Sequence, residues 1–132
     1  MSSSFVGTWS YRSLLNNPDL SVSFDDLRFG AGTLELAQSN AGKVGGSLGG
    51  PGWSLILDGT FSDGDPTVLR FQGRGSIGGE EWVYDYRGYC LPDWPDGIGQ
   101  RDAIVGSIIR TVPHSGGDAT AGFVASWYAV RA

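Results

Sequence analysis

The segment from residue 67 to residue 91 constrains the fold more than any other part of the chain. Two runs of alternating residue character, residues 67–77 and residues 80–91, are separated only by Gly78-Gly79. Alternation with a period of two is typical of β-strands, and a glycine pair between two such runs predicts a two-residue hairpin turn. We therefore expect an antiparallel strand pair whose register is set by this turn.

Counting outward from the turn predicts which residues of the hairpin lie opposite one another. On one face the predicted pairs are Gly75 with Trp82, Gly73 with Tyr84, and Phe71 with Tyr86. Large rings opposite glycines fill the space above a strand and help to fix its register. The hairpin is therefore expected to carry one aromatic face.

Strand-like alternation recurs along the rest of the chain. It is seen in residues 5–14, 32–37, 43–48, 53–61, 103–112 and 119–131. No stretch has a sustained apolar period of about 3.6 residues, so long helices are not expected, and residues 20–29 are read as a short extended piece or a one-turn plug. The 22 glycines of the 132-residue chain suit an all-β protein with many turns. We predict one all-β domain over residues 1–132, an eight-stranded antiparallel up-and-down β-barrel, with a β-sandwich as the alternative.

The second face of the hairpin is charged, and its orientation matters for function. Gln72 is predicted to face Asp85, Arg70 to face Arg87, and Asp85 lies diagonal to both Arg70 and Arg74. Either the aromatic side chains point into the barrel and the charges meet water, or the charges line the interior as a polar site and the rings form a subunit contact. The first orientation is favoured because charged side chains are rarely buried without a specific reason.

Composition and charge argue against several classes of function. The net charge is −5, the pI is about 4.6, and Lys43 is the sole lysine, so nucleic-acid binding is not expected. No apolar run approaches the roughly 18 residues of a membrane span, and the first residues do not resemble a signal peptide. A single cysteine, Cys90, cannot form an internal disulfide. A cytoplasmic location is therefore predicted.

The last two predicted strands are apolar on both faces. In the seventh strand one face carries Ile104, Ile108 and Val112 and the other Ala103, Val105 and Ile109, and in the eighth strand Phe123 and Trp127 lie opposite Val124, Tyr128 and Val130. A barrel wall exposed to water would alternate more cleanly between apolar and polar residues. We predict a homodimer or tetramer that associates through strands 103–112 and 119–131. The alternative is that loops or residues 20–29 cover this outer face.

The first strand carries a motif that resembles the calycin superfamily of lipocalins, fatty-acid-binding proteins and avidins. Gly7-Thr8-Trp9 is similar to the Gly-x-Trp of lipocalins, in which the tryptophan closes the barrel bottom and an arginine after the last strand packs over it. The resemblance implies that role for Arg131. Gly52-Trp53 is similar to a Gly-Trp at a later strand start in avidins. Avidins place Asn and Ser where this chain has Tyr11 and Leu15, so biotin binding is not implied.

The aromatic residues are the candidates for a ligand site. The predicted ligand-binding residues are Trp9, Tyr11, Phe71, Trp82, Tyr84, Tyr86 and Trp94, with Asp85 and Arg70 fixing orientation. An eight-stranded barrel is just wide enough either to fill with side chains or to hold one small ligand. We favour a cavity because Gly73 and Gly75 remove side-chain volume from the inner face.

The chain offers few residues for chemistry. His114 is the only histidine, and in a glycine-rich loop it is expected to be a surface residue, or an acid or base if the loop lies near Asp93 or Asp96. Cys90 is expected to be a small core residue. One histidine and one cysteine cannot form an ordinary zinc site within a single chain, and no cofactor or metal is expected.

Three functions remain open at this point. The first is binding of a small, partly apolar ligand inside the barrel. The second is an enzyme of the isomerase, cyclase or decarboxylase type that uses tyrosine and carboxylate groups. The third is an oligomeric structural module with a filled barrel. A buried Asp85 facing a cavity would favour the enzyme, and a solvated Asp85 would favour simple binding.

Overall fold

The strands follow one another around a closed barrel in chain order, and each pairs with its neighbours in antiparallel fashion. The computed structural model describes residues 5–92 and 94–132. The strands are β1 Gly7–Leu15, β2 Arg28–Gln38, β3 Lys43–Gly50, β4 Trp53–Ser62, β5 Val68–Ile77, β6 Glu80–Cys90, β7 Ala103–Arg110 and β8 Val124–Arg131. The predicted all-β, eight-stranded antiparallel barrel is thus confirmed. No helix among the described residues has the length and apolar character needed to cross a membrane.

Two strands begin at positions that the alternation did not indicate. β2 starts at Arg28, because the register shifts between Ser13 and Leu14 and lets Leu14 pair with Arg28. β8 starts at Val124, later than predicted. Within residues 20–29, Phe24–Leu27 forms one turn of 3-10 helix, and the Ser23 side chain caps it by accepting from the Asp25 N–H.

The central hairpin has the predicted register. Ile77 lies opposite Glu80, and the pairs with Trp82, Tyr84 and Tyr86 follow as counted. The rings do not all cover their direct partners. The atom nearest to a Cβ built on Gly73 is Cε1 of Tyr86, at 3.1 Å, and that ring belongs to the diagonal neighbour. The nearest atoms to Gly75 belong to Ser54 and Leu55 of β4, so Trp82 does not fill that space.

The aromatic face of the hairpin points into the barrel. Tyr84 and Tyr86 are buried, with 5% and 4% of their surface exposed, whereas Asp85 is exposed on the outer face. There the amide of Gln72 donates to Asp85 at 3.0 Å, and Arg74 pairs with Glu81 at 2.9 Å. The orientation with charges in water is therefore the correct one.

One end of the barrel is closed by Trp9. Its indole N–H donates to the Phe5 carbonyl at 3.0 Å, and the Arg131 guanidinium lies 4.3 Å from the centre of its ring. Arg131 also pairs with Asp102 at 2.9 Å. Gly7 has φ +141°, and a Cβ there would lie 2.5 Å from Nη1 of Arg131. Glycine is therefore needed at position 7 for this arginine to reach across the barrel end.

The outer face of β7 and β8 is partly exposed. Ile109 and Val124 have 39% and 47% of their surface exposed. The side chain of Phe24 in the 3-10 helix is 89% exposed, so it is not buried against this face. Association through this face, as a homodimer or tetramer, stays a prediction.

Candidate functional site

A cavity of about 410 Å³ lies at the end of the barrel opposite Trp9. It is lined by Tyr11, Ser13, Phe29, Gly30, Ala31, Gly52, Trp53, Leu55, Ile77, Trp82, Tyr84, Tyr86, Ile108, Arg110 and His114. Most of these side chains are aromatic or aliphatic, and none is an aspartate or a glutamate. The cavity is therefore an apolar cup with a few polar groups.

The structure brings four of the predicted ligand-binding residues together in this cavity. They are Tyr11 on β1 and Trp82, Tyr84 and Tyr86 on β6. The three residues of β6 alternate along one strand, so their rings succeed one another from the mouth of the cavity inward. Trp53, at the start of β4, also lines the cavity.

The other predicted ligand-binding residues lie elsewhere. Trp9 and Phe71 are buried in the core, and neither lines this cavity. Asp85 and Arg70 are exposed on the outer face, because strand alternation sends them away from the tyrosines. Trp94 is 75% exposed in the loop between β6 and β7, at the closed end. The expectation that Asp85 and Arg70 orient a ligand inside the barrel therefore fails on geometry.

The glycines that leave room for the cavity are not the ones that were expected. Gly73 and Gly75 do not line it. The space beside Gly73 is occupied by Leu55, Leu57 and Tyr86. Gly30 is a lining residue instead, and a Cβ built there would meet only Ser13 Oγ, at 3.1 Å. A side chain at position 30 would therefore enter the cavity.

His114 lies in the wall of the cavity, and the expectation of a surface histidine is wrong. Only 4% of its surface is exposed. Its ring stacks on Trp82 at a centroid distance of 3.7 Å and an interplanar angle of 6°. Its Nε2 lies 2.8 Å from the Tyr84 hydroxyl oxygen, and its Nδ1 lies 2.9 Å from Ser115 Oγ. No periodic pattern in a loop indicates such a position, which explains why sequence reasoning missed it.

The loop that carries His114 is tied to the β5–β6 turn by a carboxylate. Glu80 accepts hydrogen bonds from the backbone N–H groups of Ser115, at 3.0 Å, and Gly116, at 3.2 Å. Gly116 has φ +67°, which places the chain in the left-handed region that glycine adopts without strain. These contacts hold the imidazole over the mouth of the barrel.

The imidazole of His114 is held in its neutral form. Burial lowers its pKa below the ordinary value of 6.5, and the positive charge of Arg110 lowers it further, while Glu80 acts in the opposite direction. Burial and the charge of Arg110 together outweigh the effect of Glu80, so the pKa is lowered. At neutral pH this ring therefore offers one N–H donor and one nitrogen acceptor.

Arg110 is the second residue that sequence reasoning missed. It is the last residue of β7, only 8% of its surface is exposed, and it lines the cavity. Its Nε donates to the Tyr84 hydroxyl oxygen at 3.3 Å, and its Nη1 donates to the Thr120 carbonyl at 3.2 Å. The sequence did contain a signal for this position. By strand alternation, residue 110 lies on the same face as Ile104 and Ile108, which points inward.

These groups form a directed chain of hydrogen bonds. A guanidinium can only donate, so the Tyr84 oxygen accepts from Arg110. In the neutral tautomer that carries its proton on Nδ1, His114 accepts from the Tyr84 hydroxyl at Nε2 and donates to Ser115 Oγ at Nδ1. Tyr84 and His114 are thus both satisfied within the protein.

The two deeper tyrosines remain neutral hydroxyls. Burial raises the pKa of Tyr11 to about 12, against weaker opposing effects of hydrogen bonds from Ser13 and Tyr86. Burial also raises the pKa of Tyr86 well above its ordinary value. Neither phenol ionises near neutral pH, so both serve as polar contacts within an otherwise apolar wall.

Other candidate residues lie away from the cavity. Asp96 is exposed in the loop at the closed end, and Asp93 falls outside the described residues, so His114 does not meet Asp96. Cys90 is partly buried at the end of β6, and burial raises the pKa of its thiol, as suits a small core residue. Within residues 5–92 and 94–132, no group of three or more His, Cys, Asp or Glu side chains is placed to hold a metal ion.

The chain matches no protein-family model, no curated protein and no solved structure. What the site can do must therefore be argued from its own residues.

Proposed function

We propose that this protein binds a small, partly apolar ligand in the cavity at the open end of its barrel. The observation that carries the proposal is the cavity itself, with its wall of tyrosine and tryptophan rings. Its volume of about 410 Å³ falls in the range of roughly 300–1,000 Å³ that is usual for small-molecule sites. Aromatic rings contribute large apolar contact areas, and their polar ends fix orientation.

The proposal also places the chain among calycin-like barrels. The support is the contact at the closed end, where Arg131 lies over Trp9 of the Gly7-Thr8-Trp9 motif. A closed end opposite an open, ligand-sized cavity suits that group of binding proteins. Biotin is not the proposed ligand, because Tyr11 and Leu15 replace the avidin residues that would hydrogen-bond it.

The test is a titration with N-phenylnaphthylamine, a neutral apolar probe whose fluorescence rises in apolar surroundings. The native protein is expected to bind it. Gly30→Leu places an aliphatic side chain in the cavity and is expected to weaken binding by about tenfold or more. Ala37→Leu on the same strand, β2, is the matched control, because residue 37 is exposed, alternates to the outer face and does not line the cavity. It is expected to leave binding unchanged.

Two results would overturn the proposal. One is a native protein that does not bind the probe. The other is a Gly30→Leu variant that binds it as tightly as native protein and Ala37→Leu do, because the probe would then sit outside the cavity. Near-ultraviolet circular dichroism of both variants establishes that the barrel is folded.

A second candidate function is enzymatic proton transfer, favoured by the hydrogen bond between Tyr84 and His114. The enzyme that the sequence left open would use tyrosine and carboxylate groups. No carboxylate lines the cavity, and Asp85 is exposed to solvent, so a histidine would have to take the place of the carboxylate. His114→Asn separates the two candidates. If the protein is an enzyme, mass spectrometry of molecules extracted from this variant should show a substrate that native protein does not retain. A pure binder should yield the same molecule from both.

Self-association through the outer faces of β7 and β8 and a cytoplasmic location stay predictions. Light scattering that shows only a 14.0 kDa species would contradict the first. If the protein does associate, Ile109→Asp and Val124→Asp are expected to shift it towards the monomer, because both side chains lie partly exposed on that face.

A further inference from the structure

Arg110 carries a guanidinium that is buried in the wall of the cavity. Arginine stays protonated inside proteins, so this side chain brings a full positive charge into the cavity wall. Among the described residues, no carboxylate lies within the 4.0 Å that defines an ion pair with it. Burying a charge without an opposite charge is costly, and proteins rarely retain such a residue without a partner.

The protein contacts of Arg110 leave part of its hydrogen-bonding edge open. Nε and Nη1 each donate to one neutral oxygen, and Nη2 donates to no described residue. The remaining neighbours are rings: the guanidinium carbon lies 4.9 Å from the centre of Phe123, 5.7 Å from Phe29 and 5.8 Å from Tyr84. Rings attract the face of a guanidinium, but its N–H groups lie in its plane and need acceptors there.

A second donor in the same cavity also has no acceptor. The indole Nε1 of Trp82 is buried and makes no hydrogen bond to any residue in the described ranges. Trp82 and Arg110 both line the cavity, as do the satisfied side chains of Tyr84 and His114. The indole N–H of Trp82 is itself buried, so the polar capacity that the wall offers to a ligand is that of the Arg110 N–H groups, which carry a positive charge. Such a wall favours a ligand group that carries oxygen acceptors and a negative charge.

From this placement we infer that the ligand carries a carboxylate, bound at Arg110, on a body that fills the aromatic cup. A guanidinium presents parallel N–H groups that match the two oxygens of a carboxylate. The inference rests on the proposed function, because it names the class of ligand for the same cavity. It adds that the ligand is an organic anion and identifies the residue that selects it.

Competition between two ligands of nearly equal shape tests the inference. Naphthoate and naphthamide differ in that one has a carboxylate and the other a neutral amide. Each is titrated against native protein preloaded with N-phenylnaphthylamine, and displacement is read from the loss of fluorescence. Native protein is expected to bind naphthoate about tenfold or more tightly than naphthamide, as for a hydrogen-bonded charge pair.

Substitution of the arginine should abolish that preference. Arg110→Gln keeps a polar side chain and removes the charge, and it is expected to bind the two competitors with affinities within about twofold. Arg87→Gln is the matched control, because Arg87 is exposed on the outer face of β6 and leaves the cavity unchanged. It should retain the native preference. Arg110→Lys, which keeps a positive charge, should retain part of it.

The possible failures are distinct. If the neutral probe does not bind native protein, the proposed function fails, and the inference fails with it. If the probe binds and native protein does not prefer naphthoate, or if the preference survives in Arg110→Gln, the carboxylate inference is overturned while the binding function stands. Retained probe binding by Arg110→Gln shows that the variant is folded.

Discussion

The two ends of the barrel each place an arginine against aromatic rings, and they differ in what else that arginine meets. At the closed end, Arg131 lies over Trp9, pairs with Asp102 at 2.9 Å and donates to the Val6 carbonyl at 3.0 Å. At the open end, Arg110 lies among three rings and donates only to neutral oxygens of described residues. The arginine of the closed end is paired with a carboxylate, and the arginine of the open end leaves part of its hydrogen-bonding capacity unused.

The same contrast holds for the tryptophans. The indole N–H of Trp9 has an acceptor within the chain, the Phe5 carbonyl, and only 1% of its surface is exposed. The indole N–H of Trp82 is buried without an acceptor among described residues. Unsatisfied buried groups are uncommon in proteins, and the other one among the described residues is the hydroxyl of Thr67, near the closed end. The arginines and tryptophans thus differ between the two ends, in keeping with the proposal that the open end binds the ligand.

Replacing each of the two tryptophans by alanine should give the largest difference in stability between the two ends of the barrel. Trp9→Ala is expected to lower the free energy of unfolding by about 3–5 kcal/mol, because it leaves a large cavity in a closed core. Trp82→Ala removes ring contacts with His114 and Tyr84 at a half-buried position beside a cavity that already exists, and should cost less, about 1–2 kcal/mol. Urea unfolding of both variants measures the difference. Equal losses would contradict the division of roles.

Gly7→Ala tests how tightly the closed end is built. The alanine would adopt an unfavourable φ of +141° and would press on Nη1 of Arg131. A loss of about 1–3 kcal/mol in unfolding free energy is expected. Gly52→Ala is a useful comparison, since Gly52 has a positive φ of 81° with open space around it. A Gly7→Ala loss no larger than that of Gly52→Ala would show that Arg131 is not held as described.

Replacing each arginine by methionine should give opposite results. Arg131→Met leaves Asp102 without its ion-pair partner and should cost about 1 kcal/mol of unfolding free energy. Arg110→Met removes a buried charge that has no carboxylate partner among described residues, so stability should be unchanged or higher. Thermal and urea unfolding measure both. A destabilised Arg110→Met variant would mean that this arginine is a structural residue like Arg131.

The smallest expected effect is a pH dependence at the open end. The pKa of His114 is lowered by folding, so below its ordinary value of 6.5 the unfolded chain binds more protons than the folded chain. Stability from the neutral imidazole is complete above pH 6.5 and is lost as the pH falls towards the folded pKa.

Unfolding measured from about pH 7 to about pH 5 should therefore show a steeper loss for native protein than for His114→Asn, which cannot take up this proton. Parallel curves for the two proteins would contradict the burial of a neutral His114.

The regular elements could be predicted because their signals are local. Alternation in residues 67–91 and the Gly78-Gly79 turn determine both the strands and their register, and the pairing of Phe71 with Tyr86 followed by counting. Burial preference settled which face of the hairpin points inward. Four of the predicted ligand-binding residues, on β1 and β6, were found in the cavity wall for the same reason.

The polar part of the site could not be predicted in the same way. His114 reaches Tyr84 only because a loop without periodicity folds back over the barrel mouth and is held by Glu80. Arg110 obeyed the alternation, but the preference for exposed charges argued against placing it inside. The rule that correctly put Asp85 in water thus argued against the one arginine that is buried among the described residues.

The most direct test of the central claim is the response of the tryptophan indole N–H resonances to a ligand. Each indole gives its own signal in a nitrogen–proton correlation spectrum, and Trp→Phe variants assign the signals. Adding N-phenylnaphthylamine is expected to shift the Trp82 resonance and to leave those of Trp9 and Trp127 in place. A shift of Trp9 or Trp127 with Trp82 unchanged would contradict the assignment of ligand binding to the open end.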